Sequence, residues 1–389
     1  MLYQQPIPEA YLRLPAAELH ERIAAAKAEL GARLTILGHH YQRDDVIRYA
    51  DFTGDSLKLA QLSMSRPEAD FIVFCGVHFM AEGADILARP GQQVLLPDLG
   101  AGCSMADMAG IEDVEECWAV LRELCPESTM VPMTYVNSAA ALKALVGRND
   151  GCCCTSGNAD NVIGWALDRA AGDRAGCRDK LVFFPDQHLG RNTCYKLGVP
   201  LDQMVVWDPA QELGGNTEEA LRRARVVLWK GHCSVHTRMT PEHVRQVREE
   251  YPGVKVIVHP ECPFATVQAA DLAGSTEFII KHIKEAAPGT IWAVGTEIHL
   301  VQRLARQHPE QTIVSLDDCR CQCATMFRIS PQHLAWMLEE LVAGRPHNRI
   351  TVDPETARWA RLALDRMLEL SAAPAKPAPV REAMLVPGA

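Results

Sequence analysis

Short apolar, β-branched runs alternate with stretches of helical periodicity from residue 34 to residue 316, and this restricts the chain to βα units on parallel sheets. The runs are LTILGHH (34–40), DFIVFCG (70–76), QVLLPD (93–98), TMVPMTYV (129–136), GCCCTS (151–156) and KLVFFPD (180–186). RVVLWKGH (225–232), KVIVHPE (255–261), TIWAVGTE (290–297) and TIVSL (312–316) complete the series. Parallel sheets present ligands at the carboxyl ends of their strands, so the residues that follow each run are the candidates for function.

Grouped in threes, the runs resemble one another. The first of each group ends in His39-His40-Tyr41, Tyr135-Val136-Asn137 or Cys233-x-x-His236. The second ends at Gly76-Val77-His78, Thr155-Ser156-Gly157 or His259-Pro260-Glu261, and the third at LLPD, FFPD or AVGTE. Hydroxyls recur where helical patterns open, at Ser56, Ser156 and Thr276. As N-caps they need no further role, whereas at matching points of a repeat they suggest anion cradles of hydroxyl plus helix N-terminal amides.

A repeat of about 100 residues is too long for a solenoid. The expected fold is α/β: three similar βα domains, each a three-layer αβα unit, with parallel sheets in pseudo-threefold arrangement around a central active site. The expected bounds are 1–112, which includes an N-terminal helix, then 113–222 and 223–328. Two amphipathic helices and a Pro/Ala-rich tail, expected to be disordered, occupy 329–389. One doubly wound domain with decorations is the alternative.

A net charge of −10 without a Lys/Arg block argues against nucleic acid as partner. An anionic substrate would then be held locally rather than by a global positive field. The N-terminal stretch has no apolar core of a signal peptide and no run suits a membrane span, so a cytoplasmic protein is expected.

Fourteen cysteines in such a chain are expected mostly reduced, and no C-x-x-C pair occurs among them. Zinc ribbons, thioredoxin-like motifs and ferredoxin runs are thereby disfavoured. Any cluster must draw on distant cysteines. Cys103 lies in the Gly-rich loop of LLPDLGAGCSMADM, Cys233 ends the run in LWKGHCSVH, and Cys323 follows the last short strand in DDCRCQCATM. Three thiolates can hold a [4Fe–4S] cluster and leave one iron without a protein ligand, a Lewis acid rather than an electron carrier.

The motifs GHHYQ (38–42), ADFTGDSLKLA (50–60), GVHFMAE (76–82), DLGAGCSMADM (98–108) and TYVNS (134–138) resemble those of the quinolinate synthase family of NAD biosynthesis. CTSGNA (154–159), FPDQHLGRN (184–192), GHCSVH (231–236), HPEC (259–262) and GST (274–276) continue the likeness in order. As a set they are highly specific.

The resemblance implies a triangular three-domain fold around a [4Fe–4S] cluster on Cys103, Cys233 and Cys323. It implies condensation of iminoaspartate with dihydroxyacetone phosphate, losing phosphate and two waters. The imine would be handed over by L-aspartate oxidase or aspartate dehydrogenase. Cys323 matches the family's last cysteine through CATM, although many members space these cysteines C-x-x-C-x-x-C and this chain has C-x-C-x-C. Tyr41 and Glu261 match the proton-transfer residues, and His39 and His259 those that bind or polarise substrate. Glu261, beside His and Pro at a strand end, can be a general base if partial burial raises its pKa; without the resemblance it reads as a solvated strand-end carboxylate. Tyr135, Asn137 and His236 match carboxylate-binding positions, and Ser56, Ser156 and Thr276 match positions for carboxylate or phosphate.

Cys75, Cys117, Cys125, Cys177 and Cys194 read as small core or surface residues, and Cys152 and Cys153 as part of a buried strand. A Cys319–Cys321 disulfide is disfavoured by its strained spacing. The rivals are the diphthamide-forming enzymes, which also build three domains around a three-cysteine cluster, an iron or oxygen sensor, and zinc on the same thiolates.

Overall fold

In the computed structural model, which describes residues 4–317 and 322–372, all ten apolar runs form strands. The protein is a mixed α/β chain with three parallel sheets. The first runs Arg349–Ile350, Gln93–Leu95, Phe71–Cys75, Leu34–His39, Phe52–Gly54 across its width, and only Arg349–Ile350 is antiparallel to its neighbour. The second runs Met204–Trp207, Val226–Trp229, Lys180–Phe184, Met130–Tyr135, Cys152–Cys154. The third runs Leu272–Ala273, Lys255–Val258, Ile291–Gly295, Thr312–Ser315. Strands such as Leu34–His39 and Lys180–Phe184 are buried along their whole length, as continuous apolar runs in a two-sided parallel sheet should be.

One strand order recurs. In each sheet a long strand comes first in the chain, a strand of two or three residues pairs on one side of it, and a third and a fourth position follow on the other. The grouping in threes is corrected here. Val226–Trp229 does not open the third group; it pairs with Lys180–Phe184 in the second sheet, and the third sheet opens at Lys255–Val258. The count slips because Phe52–Gly54 and Leu272–Ala273 are too short to register as apolar runs, so that groups of four are counted as three; Met204–Trp207 adds a further outer strand to the second sheet.

The expected helices are present as Ala16–Leu30, Pro331–Val342 and Pro354–Ala372. Ser330 caps the second through His333 N–H, with Pro331 in the first turn where a missing N–H is harmless. Glu339 on that helix receives both Arg22 Nε and Nη2 at 2.6 Å, tying it to Ala16–Leu30. The Pro/Ala-rich tail and residues Cys319 and Cys321 lie outside the described residues. No described helix is long and apolar enough to cross a membrane.

Cys125 and Cys177 depart from the reading of unpaired small residues, because they form a disulfide with Cα atoms 5.7 Å apart. Their separation of 52 residues hides the pairing in the sequence; the hairpin Asp173–Arg174/Cys177–Arg178 brings it about.

Helix Pro354–Ala372 packs on helix Ala140–Arg148, and Gly147 makes the approach possible. A Cβ there would sit 2.0 Å from the Trp359 carbonyl oxygen, inside a backbone that cannot move aside cheaply. Gly147→Ala should therefore lower the thermal midpoint, since overpacking of about 1–3 kcal/mol outweighs a helix-propensity gain of about 1 kcal/mol. Scanning calorimetry checks the sign, and a raised midpoint would refute the close contact.

Candidate active site

Each first strand carries, at its end or just past it, two side chains separated by one residue. They are His39 and Tyr41 in the first sheet, Tyr135 and Asn137 in the second, and His259 and Glu261 in the third. All six line a single cavity. The connections that lead from the short second strands into helices contribute to it Ser156 from a turn and Ser56 and Thr276 from the first helical position. The loops after the fourth-position strands contribute Cys103, Cys233 and Cys323, with His236 three residues beyond Cys233. The fold thus brings together every residue that the sequence singles out for the site.

Glu261 is the hub. Its Oε1 accepts the Tyr135 hydroxyl at 2.6 Å and its Oε2 bonds His236 Nδ1 at 2.8 Å, with Glu261 only 3% exposed. His236 Nε2 reaches Thr296 Oγ1 at 3.2 Å, and the Tyr41 hydroxyl lies 2.8 Å from the same oxygen and 3.1 Å from Thr276 Oγ1. His39 and His259 adopt one local turn: Nδ1 of each accepts the backbone N–H two residues on, at 3.2 and 3.4 Å. That assigns the proton of the neutral ring to Nε2, which in His259 faces Ser156 Oγ at 3.1 Å. The loop carrying Asn137 is pinned by Ser138 Oγ on Tyr135 O at 2.8 Å and by the buried Lys143 ammonium on Ser138 O. Asn137 Oδ1 is buried without a hydrogen-bond partner, an acceptor waiting for a donor.

The hydroxyls do not cap their helices. Asp55 and Ser275 accept the capping N–H groups of Lys58 and Phe278, and Asn158 occupies the N-cap position after Ser156. Ser56, Ser156 and Thr276 are left to face the cavity.

Comparison with known proteins decides the family. The family model described as Quinolinate synthetase A protein matches residues 21–369. A quinolinate synthase of Corynebacterium glutamicum is 53% identical over 381 residues, covering 98% of this chain and 95% of that protein. Quinolinate synthases of Acidobacterium capsulatum and Anoxybacillus flavithermus are 56% and 52% identical over 364 and 371 residues. These cover 92% and 95% of this chain, and 95% and 98% of those proteins.

The chain belongs to the quinolinate synthase family.

Within this family member, electrostatics set the proton donors of the site apart from the Glu261 carboxylate. Burial pushes the His39 and His259 imidazoles down to about 3, so both are neutral N–H donors at neutral pH. Burial, then the Glu261 charge, holds the Tyr41 and Tyr135 hydroxyls well above their usual range. Glu261 corrects the expectation of a raised carboxyl. Burial alone would raise it, but His259 and His236 and the bonds from His236 and Tyr135 outweigh that, and it is held below the usual carboxylate range. With His259 neutral, the two hydrogen bonds are the durable part of that effect.

The three thiols face the cavity but are otherwise enclosed by protein. Burial pushes Cys103 up to about 12, raises Cys233 well above its usual value with Glu261 adding to it, and raises Cys323. Without a metal they are neutral thiols, and binding a soft cation would release protons. Backbone contacts fix the third loop, where Cys323 N–H meets Glu297 Oε1 at 3.3 Å while that carboxylate caps helix Ile298–Gln307.

Sequence reading placed Thr155, Thr296 and Glu297 in strand-end clusters without giving them a role, and overlooked Asp55. Thr296 bridges Tyr41 and His236, and the other three line the cavity. The AVGTE ending held the signal for Thr296 and Glu297, but no single residue in it stands out by type.

His39 and His259 make stability depend on pH. Between about 6.5, the unfolded value, and about 3 in the fold, the unfolded chain binds more protons, so stability falls as pH drops through that window. Metal-free protein should show a thermal midpoint declining from pH 7 to pH 5. A His39→Gln/His259→Gln variant should show a shallower decline, and an equally steep one would contradict the assignment.

Proposed function

We propose that this chain condenses iminoaspartate with dihydroxyacetone phosphate to form quinolinate, phosphate and two waters, in the de novo route to NAD. The observation that carries the reading is that Cys103, Cys233 and Cys323 line one cavity together with the Tyr135–Glu261–His236 network. We read the recurring strand order as a pseudo-threefold arrangement about that cavity, and the protein as a cytoplasmic one. The imine would come from an enzyme that oxidises aspartate.

The thiols suit a cluster better than one ion. Among the described residues, the trio whose ligand atoms all lie within 4.8 Å of one another is Cys233, His236 and Glu261, and the three cysteines do not form such a group. Three sulfurs that line one cavity without closing on a common point leave room for a cluster rather than one ion, and thiolates are the ligands iron–sulfur clusters take. Cys103, Cys233 and Cys323 would hold a [4Fe–4S] cluster, which supplies a Lewis acid at an iron that no protein side chain ligates.

The chain's own groups do the rest. Tyr41, protonated and near Glu261, can give a proton from its hydroxyl, and the Glu261 carboxylate can accept one at either oxygen once substrate displaces Tyr135 or His236. The Nε2–H groups of His39 and His259 can donate to a substrate carbonyl or carboxylate. Ser56, Ser156 and Thr276 offer hydroxyls at helix beginnings to phosphate or carboxylate. Tyr135 and His236 can turn their donors from Glu261 to a substrate carboxylate, and Asn137 Oδ1 can receive an N–H.

A single ion on Cys233, His236 and Glu261 is the second reading, favoured by their mutual spacing. It leaves Cys103 and Cys323 without a role and breaks the His236–Glu261 bond. Anaerobically purified protein should contain about four irons and four sulfides per chain and form quinolinate from the two substrates. Alanine at Cys103, Cys233 or Cys323 should abolish both, whereas alanine at Cys319 or Cys321 should leave the iron in place. Zinc without sulfide, or a cluster that survives loss of Cys323, would overturn the ligand set.

A further inference from the structure

Helix Gln187–Lys196 belongs to the second sheet's layer, yet one of its side chains reaches into the third. The Asn192 amide nitrogen donates to Pro260 O at 2.8 Å and to Cys262 O at 2.9 Å, the carbonyls on either side of Glu261. Asn192 is 7% exposed, and its Oδ1 is buried without a hydrogen-bond partner. Two carbonyl acceptors fix which way the amide points, because a flipped amide would set oxygen against oxygen. The side chain therefore gives both donors to the backbone carbonyls flanking Glu261 and leaves its own acceptor unsatisfied, an arrangement that calls for an explanation.

The explanation lies in what Glu261 must do. The residue follows a strand of the third sheet, but its carboxylate is gripped by Tyr135, the last residue of a strand of the second, and by His236, which follows another. A carboxylate reaching across that border keeps its aim only if its backbone is held at the same distance from the second sheet. Asn192 supplies that hold from the same side as Tyr135 and His236. We infer that Asn192 is a positioning residue for Glu261, clamping the backbone on both sides of it so that its carboxylate meets Tyr135 and His236. The inference rests on the proposed role of Glu261 in the condensation.

The test uses the full chain, loaded with its cluster anaerobically, in Asn192→Ala, Asn192→Asp and Asn192→Gln forms. Alanine and aspartate remove the donors, and glutamine keeps them one methylene out of place. For the first two, kcat should fall about tenfold, within the range expected for a displaced catalytic group, while KM and the iron and sulfide content stay within about twofold. In a Glu261→Gln background the same substitutions should cause no further loss, because a residue acting through Glu261 is not additive with it. Glutamine should recover part of the lost rate. Undiminished kcat in the variants, or a full tenfold loss that persists beside Glu261→Gln, would overturn the inference.

Hydrogen exchange reads the clamp without turnover. The Glu261 and Cys262 amides should exchange at least about tenfold faster in Asn192→Ala, and unchanged protection would refute the clamp. If the unmutated protein makes no quinolinate, the functional reading fails, and the exchange result still decides whether Asn192 holds the loop.

Discussion

A buried carboxylate that accepts one phenol and one imidazole governs the site. Glu261 sits at the end of a strand of the third sheet and bonds Tyr135 and His236 from the second, in a cavity where a lone charge would be costly. The neighbours arrange themselves around that anion. Tyr41 and Tyr135 keep their protons because they are buried and because Glu261 is near, and His39 and His259 stay neutral because they are buried. Where the sheets meet, polar groups of one answer those of another: Ser156 meets His259, and Tyr41 meets Thr276.

This mutual satisfaction has a chemical consequence. A substrate entering the cavity finds few idle groups, Asn137 Oδ1 being an exception, so it must exchange one hydrogen bond for another. Such exchange is inexpensive when donors and acceptors match, and it discriminates against molecules that cannot replace the bonds they break. The resting Glu261 is a weak base because it is well bonded; displacing Tyr135 or His236 would make it a stronger one. Binding and activation would then be one event.

Much of this was legible in the chain. The ten apolar runs became strands, because fully buried parallel strands need continuous apolar sequence. The thirteen residues that the sequence singles out meet in one cavity, because their motifs sit at strand ends and parallel sheets point those ends the same way. Other features were not legible. Val226–Trp229 looks like any first strand, and only its pairing with Lys180–Phe184 assigns it to the second sheet. Ser56 and Thr276 open their helices as expected, yet Asp55 and Ser275 perform the capping, a choice of one residue that depends on backbone angles. Cys125 and Cys177 read as unrelated core residues until a hairpin joins them.

The sequence by itself determined the βα alternation, the family, and which residue types stand at each strand end, because these are local properties of pattern and composition. Tertiary structure alone decided which strand neighbours which, and the protonation state of the site. Glu261 shows why. Burial, which the sequence could anticipate, pushes a carboxyl up, whereas hydrogen bonds from residues 126 and 25 positions away pull it down. The balance between the two effects depends on distances of a few ångströms, which exist only once the sheets have come together.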